Sequence, residues 1–288
     1  MVRKARYHGN SGLDHMTKTD NTEIACADIA GAEMQVSLPY IGLYDAPRDD
    51  AGLDTQCLFG ERFTVTDEAG DFYHGTLSTD GYRGYVPKSG LMPYMADATH
   101  RVIVPRSLVT RRANIKSCML FGLSLGALVT VLDDGDKEQD EIARMQTPQG
   151  DGYMPRRHLV PCDHVVNDWV AVAESLLGTP YGWGGRDSGG LDCSALVQLA
   201  LQAGGIVAPR DSGPQAAELG DPITDGEPLM RGDLIFWKGH VGIMQDAANL
   251  LHANAHHMQV ASENLHNALP RIAREAGDIT TRRRILRT

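Results

Sequence analysis

Two stretches of the chain repeat themselves, and this self-similarity restricts the fold of its first half more than any other feature. QCLFGERFTVTDE (56–68) resembles CMLFGLSLGALVTVLDD (118–134), and GYVPKSGLMP (84–93) resembles GYMPRRHLVP (152–161) more closely still. In each copy short β-prone runs, FTV and VTV, are separated by Asp/Gly turns, the pattern of a small all-β barrel. Two copies predict two small barrels in tandem, at 36–95 and 96–163, after a leading segment 1–35 without an assigned role. Such repeats serve as scaffold or as binding module. The first copy is the richer in aromatic and acidic residues.

The bulk properties limit the functions worth considering. With 288 residues, 42% of them hydrophobic, the chain can bury two or three ordinary cores. A net charge of −10 argues against a surface that tracks nucleic-acid phosphates, although TTRRRILRT (280–288) is locally basic and reads as a solvated strand or tail. No stretch is apolar for long enough to cross a bilayer, and MVRKARYHGN leads into no apolar signal segment, so a cytoplasmic protein is expected. Cys26, Cys57, Cys118, Cys162 and Cys193 are odd in number, widely spaced and without a CxxC pair; reduced thiols are expected rather than a disulfide framework or a zinc site.

The texture changes near residue 164, where a third domain, 164–288, is predicted to begin. In DHVVNDWVAVAESLLGTP, Val165, Trp169, Val172, Leu176 and Leu177 recur on one helical face, Asn167 or Asp168 can cap the start, and Gly178 before Thr179-Pro180 ends it. After a glycine-rich turn, GGLDCSALVQ starts a second helix, with Leu196, Val197, Ala200 and Leu201 at helical spacing up to Gly204-Gly205. Asp192 is its predicted N-cap, which puts Cys193 in the first turn. Free N–H groups and the helix dipole there favour a thiolate and supply a ready oxyanion site. A cysteine at a helix start is more often packing, so a base is needed.

RGDLIFWKGHVGIM predicts two strands joined by a turn at Lys238-Gly239, and NLLHANAHHMQVA a third; a meander would set His240 beside His252. One imidazole would then take the thiol proton while the other orients it. A metal site on His252 and His256 would need a helix where a strand is predicted, so no metal is expected and His256 and His257 are read as bystanders.

YGWGGRDSGGLDCSALVQ, PRDSGPQ, RGDLIFWKGHVGIM and LLHANAHHM, in this order, resemble the NlpC-type cysteine peptidase family, which cleaves cell-wall peptides on a papain-like core. The upstream repeats resemble the bacterial SH3-like domains that accompany it. The resemblance implies an α+β fold, with helices packed on an antiparallel sheet behind two small SH3-like barrels. It implies Cys193 as nucleophile, His240 as general base, His252 as orienting residue and Tyr181 as a stabiliser of the oxyanion. Trp183, Ser194, Asp211 and Ser212 match the family's substrate contacts; Asp54 and Tyr82, with Glu61 as the substitute acid, match the barrel groups that take the substrate's free amine.

Two departures are visible: Ala195 stands where glycine is common after Cys-Ser, and Gly213-Pro214 where larger residues are usual. The expectation is an endopeptidase that needs no cofactor. It would cut the γ-D-glutamyl to diamino-acid bond of short murein-derived peptides and release L-Ala-γ-D-Glu in peptide recycling. A thiol acyltransferase or amidase on the same scaffold, a phage-type wall lysin, and a non-enzymatic wall-binding protein are the rivals. Neither the oligomeric state nor the choice between diaminopimelate and lysine is legible.

Overall fold

The computed structural model describes residues 29–132 and 141–285. Cys26, most of the leading segment and the end of the second repeat copy, with Asp133 and Asp134, lie outside them.

The first repeat copy folds into one seven-stranded antiparallel sheet. Its spatial order is Leu53–Leu58, Tyr40–Tyr44, Arg83–Pro87, Phe72–Leu77, Arg62–Ala69, Glu33–Val36, Leu91–Pro93. Alternate residues, among them Val36, Ile41, Leu43, Cys57, Phe63, Val65, Leu77 and Val86, form its core. In the second copy the strands split into two sheets. Met119–Ser124, Arg106–Thr110, Gly150–Pro155 and Ile142–Thr147 make one; Leu128–Val129, His100–Val102 and Leu159–Pro161 make the other.

The repeat itself is a shared closing device: a strand ending in proline, a one-turn 3₁₀ helix and a short strand. It runs Arg83–Pro87, Lys88–Gly90, Leu91–Pro93 in one copy and Gly150–Pro155, Arg156–His158, Leu159–Pro161 in the other. Proline ends each run because it cannot donate to a ladder.

The remainder is a six-stranded antiparallel sheet in the order Asp221–Pro222, Thr281–Arg284, Asp233–Trp237, His240–Met244, Asn249–Asn254, Gln259–Asn264. The helices are α1 (Trp169–Glu174), α2 (Cys193–Ala203), α3 (Ser212–Glu218) and α4 (Leu265–Ala276). Strand periodicity divides the sheet's two faces. Leu234, Phe236, Val241, Ile243, Leu251 and Ala253 pack with α1 and α2; Ile235, Trp237, Met244 and Leu250 pack with Leu265, Ala268 and Ile272 of α4.

Asp168 caps α1 through the Ala171 N–H, and Gly178, at φ 83°, follows the helix as expected. Val165 and Leu177, placed on the buried face from spacing, are instead 54% and 56% exposed because α1 is too short to include them. Of the basic C-terminal run, Thr281–Arg284 form a strand, in which Arg284 pairs with buried Asp233 and Arg282 with exposed Asp225.

The units share cores. Leu58 of the first and Leu125 of the second enter the cluster around α2, and Phe59 enters the core of the second. The backbones meet at Gly60 (φ 81°), where a Cβ would lie 2.0 Å from the Leu128 carbonyl oxygen, so only glycine fits there. Among the described residues no helix is long and apolar enough to cross a membrane.

Candidate active site

Cys193 is the first residue of α2, and Asp192 caps it by accepting the Ala195 N–H at 2.8 Å. The Asp192 carboxylate also accepts the Gly184 N–H and both terminal nitrogens of Arg210, a buried side chain whose Nε donates to Thr55 Oγ1 of the first β unit at 2.6 Å. One acid therefore holds the cysteine helix, the glycine-rich turn and the interface together. The turn is tight for a reason: Gly184 has φ 71°, and a Cβ on it would meet Leu53 Cγ at 2.9 Å.

The Cys193 thiol lies against the backbone N–H groups of Val241 and Ser194, so it sits beside the first residues of the strand that His240 begins. His240 Nε2 is 2.8 Å from His252 Nδ1, and His252 Nε2 is 2.8 Å from Glu263 Oε1. Arg271 of α4 donates to the same Glu263 oxygen. The meander predicted from sequence is present, with the turn glycine Gly239 at φ 74°.

The expected resting thiolate is not what this environment favours. Burial, then the Asp192 charge, push the thiol up to about 12 against the opposing Val241 N–H, Arg210 and Ser194 N–H. Burial, followed by His252 and Arg271, pulls His240 down to about 3, and burial pulls His252 down to about 4. Both shifts keep the pair neutral at rest. The helix-start N–H groups are present, but desolvation outweighs them.

Tyr181 is half-buried and feels the cysteine: burial, then Cys193 and Asp192, push its phenol up to about 12, so it remains a donor. Its strand segment is set by the Tyr181 N–H to Met258 carbonyl bond and by a bridge to Leu191. Trp183 is 74% exposed.

Asp211 stands at the N-cap position of α3, but its side chain makes no capping bond; Oδ2 instead accepts from the Tyr82 hydroxyl at 3.1 Å. Ser212 opens that helix, half-buried. Asp54 lies on the Leu53–Leu58 strand close enough to Asp45 and Asp211 that burial, followed by these two charges, raises its carboxyl. Asp54, Tyr82 and Asp211 thus meet across the interface.

Two expectations are corrected. Glu61 is buried, its two oxygens accept from Arg186 at 3.0 and 3.1 Å, and Oε2 also accepts the Leu58 N–H at 2.7 Å, so its charge is paired inside the protein and shielded from a substrate amine. Ser194 is 5% exposed, its hydroxyl spent on Asp192 and Arg210 at 3.2 and 2.9 Å; it sits on the inward side of the helix turn. Sequence reasoning missed Arg210, Glu263 and Arg271. Arg210 lies inside the quoted PRDSGPQ block. Glu263 becomes visible only once the register sets Glu263 opposite Leu250 and Ala261 opposite His252.

His252, His257 and Glu263 bring donor atoms within 4.8 Å of one another. Both His252 nitrogens are already bonded, so an ion there would have to displace His240 or Glu263.

The NlpC/P60 family model matches residues 178–272, and the model described as the bacterial dipeptidyl-peptidase Sh3 domain matches residues 43–91. A gamma-D-glutamyl-L-lysine dipeptidyl-peptidase of Bacillus cereus is 29% identical over 231 residues, covering 70% of this chain and 67% of the relative. Its counterpart in Bacillus subtilis is 28% identical over 226 residues, covering 71% and 73%. The crystal structure of an NlpC/P60 family protein from Bacillus cereus superposes with a TM-score of 0.75 at 21% identity, covering 89% of this chain and all of that one, a likeness of fold.

Proposed function

This chain carries an NlpC/P60 family domain behind a bacterial SH3 domain, and from that premise we propose a cysteine peptidase that cleaves short murein peptides after an L-Ala-γ-D-Glu unit with a free N-terminus. The two Bacillus relatives bear the name of that activity on a γ-D-glutamyl-L-lysine bond. In this reading Cys193 attacks the γ-glutamyl carbonyl as its proton passes to His240. The tetrahedral oxyanion is held by the Cys193 N–H and the Tyr181 hydroxyl. His240 returns the proton to the leaving diamino-acid amine. Water activated by the same imidazole then hydrolyses the thioester.

One observation carries the specificity: Asp54 and Tyr82 of the first β unit and Asp211 of the peptidase domain converge on one another. Carboxylates crowded at a partly buried junction are repelled by one another and favour a cation between them. An α-ammonium group is the natural occupant. Asp54 and Tyr82 would take it, Asp211 and Ser212 the glutamyl backbone, and Trp183 the exposed rim. Selection for a free amine supports action on released fragments over intact crosslinked wall, hence a cytoplasmic role in peptide recycling.

The test is mass spectrometry of products from L-Ala-γ-D-Glu-diamino acid tripeptides, with and without N-acetylation. Release of L-Ala-γ-D-Glu from the free tripeptide alone is expected. Equal cleavage of the acetylated peptide would remove the amine site, and turnover by Cys193→Ala would remove the nucleophile.

A further inference from the structure

A hydrogen-bonded chain leaves the histidine pair, passes through Glu263 and ends on Arg271, and none of its outer half is needed to explain how a thiol meets a base. His252 alternates with Leu250, which packs with α4, and His240 reaches its ring from the end of the neighbouring strand, beyond the paired residues Ile243 and Met244. Glu263 is opposite Leu250 and so diagonal to His252, within reach of its ring. Arg271 comes down from α4 onto the carboxylate.

We infer that Glu263, held by Arg271, is a positioning residue that sets the tautomers of both histidines. An ionised carboxylate only accepts, so the 2.8 Å contact requires the hydrogen on His252 Nε2. His252 Nδ1 is then an acceptor, and the 2.8 Å contact to His240 requires the hydrogen on His240 Nε2. His240 Nδ1 is left with its lone pair, the only ring nitrogen of the pair able to receive a thiol proton. When it does, the imidazolium keeps its Nε2–H bond to His252, and no proton need pass further.

The carboxylate stays ionised in its surroundings. Burial works against it, but hydrogen bonds from Arg271 and His252 hold it below the usual carboxylate range. Beside its own members, the titratable group that acts on the chain is His257. The Glu263 and Arg271 side chains are 19% and 16% exposed, so the pair is shielded without being sealed.

This inference rests on the proposed role of His240 as base, and its test separates the two. In the unsubstituted protein labelled with ¹⁵N-histidine, the expected state near neutral pH is His240 protonated on Nε2 and bare on Nδ1. Protonation on Nδ1 would overturn the inference whatever the activity, whereas turnover by His240→Ala would overturn the base assignment alone.

Glu263→Met then leaves His252 Nε2 beside Arg271, which only donates, and His257, so the carboxylate acceptor that fixes both tautomers is lost. Loss of about 100-fold or more in kcat with KM within about twofold is expected, since a comparable tautomer error in a Ser-His-Asp triad costs about 10⁴. Glu263→Met with Arg271→Met removes the offending donor and is expected to recover part of that loss, which a merely structural role would not do. A kcat within about twofold of the unsubstituted enzyme in Glu263→Met would refute the assignment.

Discussion

Replacing Glu61 with Leu tests how the first β unit is held to the peptidase domain. Arg186 is fully buried and Glu61 nearly so, at 0% and 2% side-chain exposure, so solvent screens neither charge. In Glu61→Leu the guanidinium keeps its bond to the Gln56 carbonyl but loses both carboxylate partners, while its Nε is unpartnered already. Breaking a buried pair from one side costs about 3–5 kcal/mol. At roughly 2 °C per kcal/mol for a chain of this size, the unfolding midpoint should fall by about 6–10 °C.

Glu61→Leu combined with Arg186→Met removes the stranded charge and leaves chiefly the Leu58 N–H without its acceptor, a deficit of about 1–3 kcal/mol. The double variant should therefore melt above the Glu61→Leu variant. Calorimetry of the double-mutant cycle measures this directly. A shift under about 2 °C in Glu61→Leu, or a double variant no better than that single one, would show that the ion pair does not secure the interface.

Other outcomes follow from the same geometry. Because burial pushes the Cys193 thiol up to about 12, its alkylation by iodoacetamide, followed peptide by peptide against exposed Cys118 and Cys162, should rise about tenfold per pH unit from 7 to 10. A rate already level at pH 7 would mean a resting thiolate. Tyr181→Phe should lower kcat by about 10²–10³ with little change in KM, the usual cost of one oxyanion donor; a KM effect alone would make Tyr181 a binding residue. Gly184→Ala, forced into φ 71° against Leu53, should cost at least about 1–2 kcal/mol of stability, a fall of about 2–4 °C in the unfolding midpoint, and an unchanged midpoint would mean the turn can shift away.

Local chemistry written into neighbouring residues was legible from the chain alone. Asp192 before CSALVQ announced a capped helix with Cys193 at its start, Lys238-Gly239 announced the hairpin whose second strand begins with His240, and the GYVP/GYMP repeat announced two units closed in one manner. Each of these depends on dihedral preference, capping or side-chain periodicity over a few residues. What needed the tertiary structure was every property set by residues distant in the chain. Glu61 looked like a free acid until Arg186, 125 positions away, occupied both oxygens. Ser194 looked available until Arg210 and Asp192 took its hydroxyl. The thiol looked ionised until burial desolvated it, and Glu263 had no evident partner until strand register set it diagonal to His252. Sequence spacing specifies which way a side chain leaves its own helix or strand, whereas burial, charge pairing and proton position depend on what the fold brings against it from elsewhere.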